Sequence, residues 1–184
     1  LRSYTSGDYS FYSLAGTIST ADFADASLIE KTLDAKLNAA NINLKWTHND
    51  GGTLHRFLID SIERPSSSNA KLTLVCNAKV LDLPYTSEKN LLVPAKGSFI
   101  ALNAKVVNDN DQYILVNFSN PIEQNQTLEG LVSCDGLNEL KYIINNNQVL
   151  IYPSEIKAGV YTLKISEAVK DAKGQSVGKN SEHS

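Results

Sequence analysis

His48 and His55 flank the run Asn49-Asp50-Gly51-Gly52. Asn, Asp and Gly tolerate the positive φ that tight turns demand, so this run reads as a hairpin turn. The two imidazoles then face each other across the hairpin, a geometry that invites a metal. A zinc site needs further ligands, and no third is evident. The expectation is a pair of surface histidines. Asn108-Asp109-Asn110-Asp111 clusters the side-chain oxygens that calcium takes, but lacks the glycine and the distal bidentate glutamate of an EF-hand loop. A hairpin turn is the preferred reading. Asp60 and Glu63 lie close along the chain with no sign of a pocket around them. Cys76 and Cys134 belong to no CxxC pair, which leaves zinc and thioredoxin-type chemistry unsupported. They read as two buried thiols acting as small hydrophobes, with an inter-domain disulfide as the alternative.

The motifs of nucleophilic, phosphate and dinucleotide chemistry are missing: no Gly-x-Ser-x-Gly, no His-Glu-x-x-His, no Walker loop, no Gly-x-Gly-x-x-Gly. The serines cluster in loops with no base beside them. No catalytic, cofactor-binding or metal residue is therefore assigned, no cofactor is expected, and the chain is not expected to be an enzyme. Asn117-Phe118-Ser119 and Asn125-Gln126-Thr127 match the glycosylation sequon. Tyr4, Tyr9, Phe11 and Tyr12 offer either a sugar-stacking platform or packing against neighbouring structure, and packing is preferred.

The elements that must position these residues are strands. At 184 residues the chain is one large or two modest domains. A net charge of −3 without a basic block argues against a nucleic-acid partner. No run approaches the roughly 20 apolar residues of a membrane helix. The chain begins at Leu1 and contains no Met, and reads as a mature or excised piece whose targeting segment is not shown.

The first half predicts a strand near 14–18. Ser27-Leu28-Ile29-Glu30 then resembles a capping box, and Leu28, Ile29, Leu33 and Leu37 continue at helical spacing, predicting a helix over about 28–38. Ile42, Leu44 and Trp46 alternate with polar residues as a half-buried strand. The return strand at 54–62 places Phe57, Ile59 and Ser61 on one face, and a further strand covers 72–76. Pro94 and Gly97 mark a boundary. The second half predicts strands near 99–107, 112–118, 128–134, 140–144, 148–152 and 160–165, with Asn145-Asn146-Asn147 a tight connection, Asp171-Ala172-Lys173-Gly174 a turn and 181–184 a frayed end. Short strands with turn signals every 8 to 12 residues or so are the mark of a sandwich. The expected fold is mainly β: two consecutive antiparallel β-sandwich domains, Ig-like or macroglobulin-like, over 1–93 and 94–184, the first with a short helix.

Several segments resemble the N-terminal macroglobulin-like domains of bacterial alpha-2-macroglobulin family proteins, particularly large ones from Bacteroidetes. In the first half these are Leu14-Ala15-Gly16-Thr17-Ile18, Leu28-Ile29-Glu30-Lys31-Thr32-Leu33, Ile42-Asn43-Leu44-Lys45-Trp46 and the run from His55 to Arg64. In the second they are Val93-Pro94, Ile114-Leu115-Val116-Asn117-Phe118-Ser119-Asn120-Pro121-Ile122, Gln126-Thr127-Leu128-Glu129-Gly130, Gly159-Val160-Tyr161-Thr162-Leu163 and Val169-Lys170-Asp171-Ala172-Lys173-Gly174. The second-half pattern is also similar to generic bacterial Ig-like modules of surface proteins. The resemblance implies a large protease trap (an endopeptidase inhibitor) of the bacterial cell envelope, periplasmic or a lipoprotein. In such a trap a bait region is cleaved and a Cys-Gly-Glu-Gln thioester captures the protease. Cys76 is followed by Asn77-Ala78 and Cys134 by Asp135-Gly136, so the thioester carries over to neither. The implied role is a non-catalytic structural segment, monomeric by itself. Its partners are other domains of the same longer chain and, through the full-length protein, target proteases. The alternative is an Ig-like surface module binding a glycan or host protein.

Overall fold

The computed structural model describes residues 1–108, 111–155 and 158–184. The fold is mainly β, in antiparallel sheets. The chain divides into two compact units, Leu1–Lys96 and Gly97–Ser184. The division falls after Lys96 rather than after residue 93, because the preceding residues are tied into the first unit. Arg64 donates to the carbonyls of Pro94 and Ala95 at 2.9 and 2.7 Å, and the Lys96 amide donates to Pro65 O at 2.8 Å.

The first unit runs β1 (Arg2–Thr5), β2 (Phe11–Ser19), α1 (Ala26–Glu30), β3 (Leu33–Leu37), β4 (Ala40–Ile42), β5 (Lys45–His48), β6 (Leu54–Glu63), β7 (Ala70–Asn77) and β8 (Thr86–Val93). One sheet has the order β1-β2-β6-β5 and the other β4-β3-β7-β8. Leu14, Phe57 and Ile59 from the first and Leu33, Leu72 and Leu74 from the second are buried. The alternation along β6 breaks at Asp60-Ser61, which together oppose the single residue Ser13. Ser61 takes φ +55° there, so Ile62 returns to the core and Ser61 is exposed, not on the face of Phe57 and Ile59.

Two expectations are corrected. The helix stops at Glu30, and 33–37 is strand β3, in register with β7 from Leu33↔Cys76 to Leu37↔Leu72. Leu33, Ala35 and Leu37 also alternate with Asp34 and Lys36. Ladders to β4 and β7 and a buried face outweigh the marginal stability of so short a helix. Its cap is Asp25, not Ser27: the Asp25 carboxylate accepts from the amides of Ser27 and Leu28 at 2.8 and 3.3 Å. The single strand read through Ile42, Leu44 and Trp46 is two, β4 and β5, in different sheets. Strands β1 and β8 arise where no strand is predicted. Both are edge strands with polar or exposed outer faces, which leaves little periodicity to read.

The second unit runs β9 (Ala101–Asn108), β10 (Gln112–Phe118), β11 (Val132–Cys134), β12 (Leu140–Asn145), β13 (Gln148–Pro153), β14 (Leu163–Ile165) and β15 (Ser181–His183). Its sheets are ordered β12-β13-β10-β9 and β11-β14-β15. Val116, Phe118, Val149 and Ile151 from the larger sheet share one buried cluster with Val132, Leu163 and Ile165 from the smaller. The expected strands 128–134 and 160–165 are shorter than predicted, and the end expected to fray instead pairs with β14 as β15. Asn146, at φ +55°, makes the turn between Asn145 and Gln148. Asp109 and Asn110 lie outside the described residues, and β9 and β10 pair across them from Asn108↔Gln112.

The Ser119-Asn120-Pro121 and Asp171-Ala172-Lys173-Gly174 turns meet in the interior of this unit. The Asn120 amide donates to Asp171 at 2.8 Å, and the same carboxylate accepts from the amides of Lys173 and Gln175, each at 2.9 Å. Asn120 and Asp171 are both fully buried. A carboxylate is tolerated inside a protein when its lone pairs are used in this way.

Candidate functional site

His48 and His55 are directly opposed across the β5–β6 hairpin, with Nδ1 to Nδ1 at 2.8 Å. The turn between them is held by Asn49, whose Oδ1 accepts from the amides of Thr53 and Leu54 at 3.0 and 2.8 Å. They are not surface residues as expected. His55 is fully buried and His48 half-buried, because His55 is in phase with Phe57 and Ile59 on the inner face of β6. Glu30, at the end of α1, reaches His48 Nε2 at 3.1 Å. Trp46 stacks on the His48 ring with centroids 5.9 Å apart.

The protons of this row are linked. When His48 Nε2–H donates to Glu30, its Nδ1 accepts from His55 Nδ1–H, and His55 Nε2 is left as a bare acceptor. That nitrogen is buried with no hydrogen-bond partner. Two nitrogens bound to one zinc at the usual bond length and tetrahedral angle stand about 3.3 Å apart. The 2.8 Å spacing is that of a hydrogen bond instead. Among the described residues no group of three His, Cys, Asp or Glu side chains is arranged to hold a metal ion. The row orients the hairpin against α1.

The carboxylates singled out in the sequence form exposed pairs. Asp60 accepts from Ser13 Oγ at 3.0 Å and Lys45 Nζ at 3.3 Å, which hold its carboxyl below the ordinary range, and Glu63 meets Lys96 at 3.1 Å. Of the early aromatics, Tyr9 and Tyr12 are buried, whereas Tyr4 and Phe11 remain exposed on the outer face of β1 and β2. In the first sequon Asn117 is buried, donating to Asn103 and accepting from Gln148. Asn125 of the second is exposed.

Both cysteines are free thiols. Cys134 lies in a row that sequence reasoning did not find. Registers Cys134↔Leu163 and Leu163↔His183 set the three side by side across β11, β14 and β15. Strands are spaced by about 4.8 Å, so Cys134 and His183 stand roughly 10 Å apart with Leu163 between them. They make no nucleophile–base pair. Burial, and then Asp135, push the Cys134 thiol up, away from the reactive thiolate. Burial also pulls His183 below its ordinary value, and its Nε2 is buried without a hydrogen-bond partner.

This row forms one wall of an open cleft of about 410 Å³ within the second unit. Ala104, Val106 and Ile114 of β9 and β10 line the opposite wall, and Tyr161 and Val160 border the mouth. A signal for His183 was present in the sequence, since Ser181-Glu182-His183 alternates in phase with Leu163 and Ile165. Three residues were too few to read as a strand. No protein-family model, curated protein or solved structure matches the chain.

Proposed function

We propose that the chain is a non-catalytic structural segment of an alpha-2-macroglobulin-like protease trap of the bacterial cell envelope, two sandwich units that hold position for a larger assembly. The observation that carries this reading is how the interior polar groups are used. Arg64 braces the carbonyls of Pro94 and Ala95, Asp171 braces the amides of its own turn, and Asn147 donates to Phe118 O at 3.0 Å. These groups fix loops at the ends of strands rather than converge on a reacting atom. The segments from Leu14 to Ile18, from His55 to Arg64 and from Ile114 to Ile122, on which the family resemblance rests, are strand-and-turn positions of the same kind. Mixing the full-length parent protein with a broad-specificity protease, followed by denaturing gel electrophoresis, tests the reading. A covalent adduct is expected, and a protease that stays free and fully active would refute it.

A second reading, an Ig-like surface binding module, is favoured by Tyr4 and Phe11, 43% and 42% exposed on one sheet face. Exposed aromatic rings on one sheet face offer apolar faces on which a sugar can stack. Binding of this chain to a glycan array, lost in Tyr4→Ala, would support it over the trap.

A further inference from the structure

We propose that the cleft of the second unit binds a small amphiphilic carboxylate, an alkyl or aryl body carrying one acid group. The cleft is of a size that receives small ligands, which occupy sites of about 300–1,000 Å³ with mostly apolar walls and a few polar groups. Its volume of about 410 Å³ sits at the lower end of that range, enough for a medium-length chain or one or two rings. The walls supply the apolar contact: Ala104, Val106 and Ile114 on one side, Cys134 and Leu163 on the other. Val106 and Val160, at the mouth, are 59% and 92% exposed, so apolar surface continues outward from the cleft. A ligand tail covering it removes that surface from water.

The head group follows from two observations. His183 Nε2 is buried among the lining residues without a hydrogen-bond partner, and such a group gains when a ligand supplies one. Lys105, on edge strand β9, borders the cleft, and among the described residues no Asp or Glu side chain lines it. A carboxylate answers both, accepting from the imidazole and drawn by the ammonium, whereas a cationic head is repelled by Lys105.

The test is a methyl and imidazole NMR titration of the whole chain with decanoate, decan-1-ol and decyltrimethylammonium, each below its micelle concentration. Decanoate is expected to shift the Leu163, Ile114 and Val106 methyls and the His183 ring together, with an affinity at least tenfold above that of the alcohol and no saturable shift from the cation. Lys105→Met is expected to weaken decanoate about fivefold and leave decan-1-ol unchanged. Val106→Glu, which removes apolar wall surface and adds a negative charge, is expected to weaken both ligands and decanoate at least fivefold more than the alcohol. Equal binding of acid and alcohol would overturn the carboxylate assignment. An absence of saturable shifts at Leu163 and Ile114, or shifts scattered over the surface, would overturn the site.

Discussion

Arg64 is the largest fully buried side chain among the described residues, 1% exposed, in a position the sequence presents as the start of a polar loop, Arg64-Pro65-Ser66-Ser67-Ser68. Its guanidinium is planar and carries five donors, which suits it to two backbone carbonyls at once. Replacing it by Met keeps most of the stem volume and leaves Pro94 O and Ala95 O without those donors. Arg64→Met is therefore expected to lower the stability of the first unit by about 3 kcal/mol, seen as an earlier midpoint in urea by Trp46 fluorescence. A midpoint within error of the parent would show that water replaces the guanidinium there. Gly16 illustrates the opposite constraint, since a Cβ would lie 2.2 Å from the Phe57 ring on the neighbouring strand. That pairing is invisible until the register of β2 and β6 is known.

At the scale of elements, α1 depends on its cap more than on its length. Five residues are too few to hold a helix alone, and Asp25 satisfies two of the amides at its start. The Ser27 hydroxyl, followed by the Ser27 amide, depresses the Asp25 carboxyl, as Ser13 and Lys45 do for Asp60 on β6. Both values lie below the ordinary 3.8, so the unfolded chain takes up these protons first as pH falls. The stabilisation is complete above about pH 4 and is lost as pH drops through the depressed values. A melting temperature followed from pH 5 to 2 should fall, with a shallower fall in the double variant Asp25→Ala, Asp60→Ala. An identical slope would assign the acid sensitivity elsewhere. The helix itself was legible in Leu28 and Ile29, but its end was not. Leu33 and Leu37 satisfy both a helical period and a strand alternation, and only pairing with β7 separates the two.

At the scale of the whole molecule, each unit has its own two sheets and its own buried residues. Trp46 is the single tryptophan and lies in the first, so it reports that unit alone. Asp171→Ala removes the acceptor of three donors inside the second unit and is expected to destabilise it by about 3 kcal/mol. Far-UV circular dichroism should then show an earlier transition while the Trp46 midpoint holds. A Trp46 midpoint that moves in step would mean the two units unfold together.

Alternation of side chains fixed the β character and the position of the long strands β6 and β10, and Asn, Asp and Gly marked the turns at 49–52 and 145–147, because these depend on neighbours along the chain. The partnerships of Asn120 with Asp171, of Arg64 with Pro94 and of Cys134, Leu163 and His183 across three strands came only with the tertiary structure. Their members are 30 to 51 residues apart in the hydrogen-bonded pairs, and no local pattern encodes which distant backbone a buried polar group will meet.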